Sequence, residues 1–260
     1  MKVFLGGARG SFPVSGTDKA RYGGDTFALL AEDRAGGQVL VDAGSGVRRL
    51  RSRLRPGGTL FFTHTHLDHL VGLPQLAKAW PARMILPRGD LEAVLTRVFS
   101  PPVWPIRLPA ADFTMPAAPV EVGGLRVDWL PVAHPDGCVA YRIDEPATGA
   151  GLVVATDIEW RKMLPAAQEK FAAFARGADL LVFDAQYLPG EYAAHEGWGH
   201  STWTDAVEAA RRCGARKLWL MHHAPGRTDV EVDALAAEAA AQFPGAVFPV
   251  LESMTEVLHE

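Results

Sequence analysis

Residues 61–70 read FFTHTHLDHL and place three histidines and one aspartate, His64, His66, Asp68 and His69, within six positions. The lead-in Leu60-Phe61-Phe62 is a buried-strand pattern, so the polar group arrives where a strand stops. Four polar residues at fixed spacing behind such a run would leave several hydrogen-bonding groups stranded if they were buried without partners. A bound metal ion removes that difficulty. Residues two apart in an extended segment point the same way, so His64 and His66 present their rings to one side. Asp68 and His69, on the turn into the next helical segment, reach round to an adjoining position.

The same ending recurs along the chain. His134 closes RVDWLPVAH, Asp157 closes GLVVATD and His222 closes KLWLMH. The carboxyl ends of strands are where open α/β folds place their sites. Counting donors divides these residues into two sets. His64, His66 and His134 make a three-histidine group with an open position, the pattern of a catalytic zinc. Asp68, His69 and His222 make a second group, with Asp157 available to bridge two ions. Neither set holds a thiolate, which argues against a closed structural zinc site. Nitrogen and carboxylate donors suit two divalent ions, zinc first, with manganese or iron as alternatives. Taken singly, His134, Asp157 and His222 would read as ordinary hydrogen-bonded polar residues. The hexad HTHLDH is what draws them in.

The whole chain sets the bounds. Its 260 residues, 48% of them hydrophobic, suffice for a large core, and no linker divides them, so one domain over 1–260 is expected. A net charge of −4 and a pI near 6.1 disfavour extensive nucleic-acid binding. The two cysteines, Cys138 and Cys213, lack metal-ligand spacing and suggest a reducing compartment. The N-terminal apolar run is too short for a signal peptide, and no run is long enough to span a bilayer. The expectation is a soluble, cytoplasmic protein.

Early segments read as strands: KVFLGG, then DTFALLAED and GQVLVDAG joined as a hairpin. GVRRLRSRLRPGG reads as an amphipathic helix whose five arginines form its solvated face. LPQLAKAW and GDLEAVLTRVFS read as helices around a strand, ARMILP. Residues 101–119 hold six prolines and are expected to cross the surface irregularly. Strands then alternate with helices. STWTDAVEAARRCG has a cap at Ser201 or Thr202 and a stop at Gly214, and Thr228 with Glu231 forms a capping box for the last helix. The pattern implies sheets covered by helices.

HTHLDH resembles the HxHxDH signature of the metallo-β-lactamase superfamily. The lone His134, Asp157 after an apolar strand and the late His222 are similar to that family's order, and VLVDAG resembles the strand before its motif, with Asp42 as a supporting carboxylate. The resemblance spans most of the chain. It implies a four-layer αββα sandwich with a dinuclear site at the sheet edge. GARGSFPVSG with YGGDT, and GWGHSTW followed by LWLMHHAP, resemble the phosphodiesterase-like branch, which includes ribonuclease Z and cyclic nucleotide phosphodiesterases. There a histidine just before a helix contacts the scissile phosphate, and that position here is His200. No inserted basic arm of the kind that holds tRNA is present, which points away from tRNA. The flavin-partnered di-iron members have an acidic ligand where this chain has His66.

The function expected is therefore a metal-dependent phosphodiesterase, with a hydroxide shared by two metal ions as nucleophile. His200 would bind or protonate the phosphate, and Asp68 would serve at the catalytic centre as well as holding metal. The GHST stretch at a helix start also brings backbone N–H groups near an anion. Asp184, at another strand end, would orient a ligand ring or shape a turn. His223 and His195 are weaker candidates, and Arg9 and Ser11 read better as turn residues than as phosphate contacts. The expected partner is a small phosphodiester or nucleotide, and a homodimer is expected by analogy. The alternatives are an ester, thioester or lactone hydrolase using the same metals, or a sensor that keeps a vestigial site.

Overall fold

Strands whose odd and even side chains are both apolar need cover on both faces, and two such sheets solve the problem by packing on each other. The computed structural model, which describes residues 1–87, 89–251 and 254–259, has this arrangement. The first sheet contains β1 (Lys2–Gly7), β2 (Ala28–Glu32), β3 (Gln38–Val41), β4 (Thr59–Phe61), β5 (Arg83–Ile85), β6 (Asp112–Thr114) and β14 (Thr255–Val257), in the order β14-β1-β2-β3-β4-β5-β6. The second contains β7 (Val120–Val122), β8 (Leu125–Val132), β9 (Cys138–Glu145), β10 (Ala150–Ala155), β11 (Leu180–Asp184), β12 (Lys217–Met221) and β13 (Ala246–Val247), in the order β13-β12-β11-β10-β9-β8-β7. Each sheet is half antiparallel and half parallel. Pairing is parallel from β3 to β6 and from β10 to β13.

Alternation sends each strand's residues to two different cores. Val39, Val41 and Phe61 meet Leu152, Val154, Leu180 and Val182 between the sheets. Leu40 and Leu60 face outward, beneath α1 (Val47–Leu50) and α2 (Leu91–Val98). Val153, Leu181, Phe183 and Leu220 face the other way, beneath α3 (Pro165–Phe174), α4 (Trp203–Cys213) and α5 (Asp229–Gln242). The result is the four-layer αββα sandwich. Each fully buried Leu, Val or Phe contributes about 1.5–3 kcal/mol. The long cores therefore leave room for a polar centre at one edge.

The helix ends follow the sequence. Thr202 and Asp205 form the capping box of α4, Gly214 ends it in the left-handed region (φ 65°), and Thr228 with Glu231 caps α5. Three expectations need correcting. The arginine-rich helix is one turn long, Val47–Leu50, and beyond it the Gln38 side chain binds the Arg53 carbonyl and the Arg55 amide. The segment after the hexad is a 3₁₀ turn, Leu73–Leu76, rather than a helix to Trp80. The proline-rich stretch is not wholly irregular, since residues 112–114 pair with β5 as the edge strand β6.

Candidate metal centre

The carboxyl ends of β3, β4, β8, β10, β11 and β12 open on the same edge of the sandwich. Asp42, the hexad, His134, Asp157, Asp184 and His222 stand there. The hexad leaves β4 pinned by the other sheet, because Tyr141 Oη donates to the Phe62 carbonyl at 2.6 Å and the Val139 amide donates to the Thr63 carbonyl at 3.1 Å. Asp68 and His69 lie on a 3₁₀ turn, Leu67–His69, which swings them back toward the cluster. Asp42 (φ 56°) and His222 (φ 63°) adopt left-handed backbone conformations. Such conformations are uncommon outside glycine, although Asp and His adopt them more readily than most residues.

Among the described residues, four overlapping donor groups lie at this edge, among them His64 with His69 and Asp157, and Asp157 with Asp184, His200 and His222. His64, His66 and His134 bring one nitrogen each within 4.8 Å of the others, and Asp68, His69 and His222 do the same. In the second set Asp68 Oδ2 lies 3.4 Å from both His69 Nε2 and His222 Nε2. Asp157 faces both sets. Its Oδ2 is 3.2 Å from His69 Nε2, and its Oδ1 is 3.3 Å from His222 Nε2 and 3.9 Å from His64 Nε2. In the first set His66 Nδ1 is 3.2 Å from His134 Nε2. An ion held tetrahedrally by bonds of about 2.1 Å separates its donors by about 3.4 Å. The contacts at 3.2–3.4 Å match that spacing.

Hydrogen bonds fix which nitrogen each ring presents. Nδ1 of His69 donates to Asp42 Oδ2 at 2.8 Å, Nδ1 of His134 to the Gly199 carbonyl at 2.9 Å and Nδ1 of His222 to Gln186 Oε1 at 2.7 Å. His64 Nδ1 donates to Thr63 Oγ1 at 3.0 Å, and that hydroxyl donates to Asp42. Each ring then keeps the Nε2 lone pair for the cluster, the usual arrangement behind a metal-ligating histidine. Buried Nε2 atoms of His64, His69 and His222, and Oδ2 of Asp157, have no hydrogen-bond partner. An unmade buried hydrogen bond costs about 1–3 kcal/mol per group, so four together at one point are difficult to sustain unless a cation satisfies them. The residues fit divalent ions.

The charge balance says the same. Burial raises the Asp157 carboxyl, but His222, His69 and His64 outweigh it and hold it well below the usual carboxylate range. Burial opposes charge on His69 too, yet Asp157, Asp68 and Asp42 lift it well above an ordinary histidine. Burial keeps His64 low and brings His134 down to about 4. The carboxylates thus favour positive charge at the centre.

Beside the cluster, His200 Nδ1 is 2.7 Å from Asp184 Oδ2, and the ring stacks on His222 at 4.6 Å. Asp184 also accepts the amides of Gln186 and Ser201, so it fixes the strand end and the ring together. Burial pushes Asp184 well up and His200 down.

Other residues singled out in the sequence lie elsewhere. His223 packs against Tyr22 and Phe248, outside both donor sets. Arg9 is fully buried and donates to the carbonyls of Gly23, Ala224 and Arg227, a loop-tying role. His195 stacks on Tyr187 at 4.4 Å. Ser11 donates its amide to Asp68 Oδ2 at 2.9 Å. Sequence reasoning missed Gln186, which orients His222, and Glu159, which accepts the amides of Gly197 and Gly199 and so holds the loop before His200. It also missed two close approaches. A Cβ on Gly10 would lie 2.2 Å from His222 Nδ1, and one on Gly199 (φ 93°) would lie 2.2 Å from His134 Nδ1.

Comparison with known proteins gives the family and the fold. A beta-lactamase superfamily domain matches residues 38–223. A ribonuclease BN of Cronobacter sakazakii is 26% identical over 270 residues, covering 84% of this chain and 89% of that protein. The metallo-beta-lactamase fold protein YhfI of Bacillus subtilis matches with a TM-score of 0.74 at 20% identity over 98% of both chains. A diphosphatase of the PhnP family matches with a TM-score of 0.72 at 18% identity, over 98% of this chain and 96% of that one. At these identities the structural matches carry the fold.

Proposed function

The chain belongs to the beta-lactamase superfamily and is a metal-dependent hydrolase, and from that premise we propose that it hydrolyses phosphodiesters. The observation that carries this reading is the His200–Asp184 pair, set against the imidazole cluster with Nδ1 engaged and the other ring nitrogen left for a substrate. The names of the ribonuclease BN and diphosphatase relatives agree with phosphorus as the centre attacked.

His64, His66 and His134 would hold one ion and Asp68, His69 and His222 the other, with Asp157 shared between them. When bound, two divalent ions, zinc by the chemistry of the donors, supply Lewis acidity that activates water and offsets charge on the phosphoryl oxygens. The chain's own residues do the rest. A phosphate oxygen against His200 Nε2 would bring an anion to the ring and favour the imidazolium, whose Nε2–H then donates. The same proton can pass to the leaving oxygen. Burial raises the Asp68 carboxyl, but His69 and His222 outweigh it and hold it far below the usual range, so Asp68 is a weak base. Its catalytic part is to orient, with its Oδ2 fixed by the Ser11 amide. The substrate in this reading is a small phosphodiester or nucleotide.

The test is a panel assay of protein loaded with zinc or manganese. Hydrolysis of bis(p-nitrophenyl) phosphate is expected. Cleavage of thioesters or lactones, with the phosphodiester left intact, would overturn the reading in favour of carbon-ester chemistry.

A further inference from the structure

Three large apolar side chains stand in solvent beside the candidate centre: Phe12, Leu67 and Trp198 are 58%, 59% and 62% exposed. Each neighbours a residue of the centre along the chain. Phe12 follows Ser11, whose amide holds Asp68. Leu67 lies between His66 and Asp68. Trp198 precedes Gly199, whose carbonyl accepts from His134 Nδ1. Scattered exposed apolar residues need no explanation, but three on separate segments that each adjoin a residue of the centre along the chain do.

Trp198 is also joined to the centre by a row of rings. It stands edge-on to His195 at 5.1 Å, His195 stacks on Tyr187 at 4.4 Å, Tyr187 stands edge-on to His200 at 6.0 Å, and His200 stacks on His222. The loop that carries the indole is pinned on both sides of it. Glu159 accepts the amides of Gly197 and Gly199, and the Trp198 amide donates to the His195 carbonyl. The fold therefore holds the indole out instead of letting it collapse onto the surface.

Among the described residues, the basic side chains around the Trp198 loop are engaged, Lys162 with Glu196 at 2.6 Å and Arg161 with Asp205 at 2.8 Å. Segments 9–12, 64–71, 134–137, 186–200 and 222–227 contain two arginines and no lysine. Arg9 is fully buried, and Arg227 pairs with Glu191 at 2.8 Å. The exposed Asp136 adds negative charge beside His66. A polyanion would find no free cation in these segments, whereas a planar base would find an indole face.

We propose that Trp198 is a specificity-determining residue, the platform on which the base of a nucleotide substrate stacks while its phosphodiester lies at the metal centre. The inference rests on the phosphodiester reading above. Two chromogenic diesters with one leaving group separate them: thymidine 5′-(p-nitrophenyl phosphate) and methyl p-nitrophenyl phosphate. With metal-loaded protein, Trp198→Ala should lower kcat/KM for the thymidine ester by about tenfold more than for the methyl ester, mainly through KM, and Trp198→Phe should recover most of the loss. Thymidine 5′-monophosphate should quench the tryptophan emission of the wild-type protein and bind Trp198→Ala about tenfold more weakly. Equal losses for the two esters, or equal nucleotide binding by both proteins, would overturn the inference and leave the phosphodiester reading standing. Failure of the wild-type protein to cleave either ester would overturn both.

Discussion

Asp42 Oδ2 lies 2.8 Å from His69 Nδ1, and neither side chain is exposed to solvent. The same oxygen accepts from Thr63 Oγ1, and Thr63 Oγ1 in turn receives His64 Nδ1–H. One carboxylate therefore orients a ring of each donor set. Replacing Asp42 by Asn should weaken metal retention at both positions by about 10–100-fold. Equilibrium dialysis against zinc followed by metal analysis measures this. An unchanged metal content would show that the carboxylate serves only the fold.

Proton release should differ between the two ions. His69 stands well above the ordinary histidine value in the metal-free chain, so an ion entering beside Asp68 and His222 must displace its proton at neutral pH. His64 and His134 are already neutral there, His134 at about 4, and add no proton to the exchange. The sign follows: below the raised His69 value, affinity of the second set falls by about tenfold per pH unit, while His64 and His134 stay neutral to more acid conditions. Calorimetry in buffers of different ionisation heats reads out the protons. Equal release by both ions would count against the assignment.

His200 should matter to turnover and not to metal content. His200→Ala is expected to lower kcat by about 10²–10⁴-fold while two ions per chain remain. Asp184→Asn should repeat the loss and also lower stability, since Asp184 holds the amides of Gln186 and Ser201. Loss of an ion from His200→Ala would instead make that ring a ligand.

Gly199→Ala tests the loop behind His134. The added Cβ would meet His134 Nδ1, and the backbone at φ 93° is one that side chains rarely adopt. Strain of about 1–3 kcal/mol is expected. The stabilisation that zinc gives in thermal unfolding should shrink with it, and a full zinc-induced shift in this variant would show that the ring moves aside without consequence.

Much of this centre is written locally in the chain. The hexad announces itself because polar residues follow directly on Phe61 and Phe62, and His134, Asp157 and His222 each end an apolar strand. Near-continuous apolar runs are also visible in VLV of residues 39–41 and LLVF of residues 180–183, and they call for cover on both faces of each strand. What could not be read depends on distant contacts. Gln186 is an ordinary loop amide until β12 brings His222 to it, and Glu159 acquires its role only when the loop at 197–199 folds over it. Gly10 and Gly199 look like turn glycines, and only the folded chain shows the rings that press on them. The arginine-rich segment shows the converse. Its helical spacing is genuine, but the regular helix covers only Val47–Leu50, and Gln38 binds the backbone of Arg53 and Arg55 beyond it.

The most direct test is a reconstitution titration. Chelator-stripped protein is given zinc in steps while bis(p-nitrophenyl) phosphate hydrolysis is followed, with Asp157→Asn in parallel. Asp157 touches donors of both sets, so activity should rise to a plateau at two ions per chain, and the variant should bind less metal and stay nearly inactive. Hydrolysis by the stripped protein, or a plateau reached at one ion with Asp157→Asn unimpaired, would contradict a dinuclear centre.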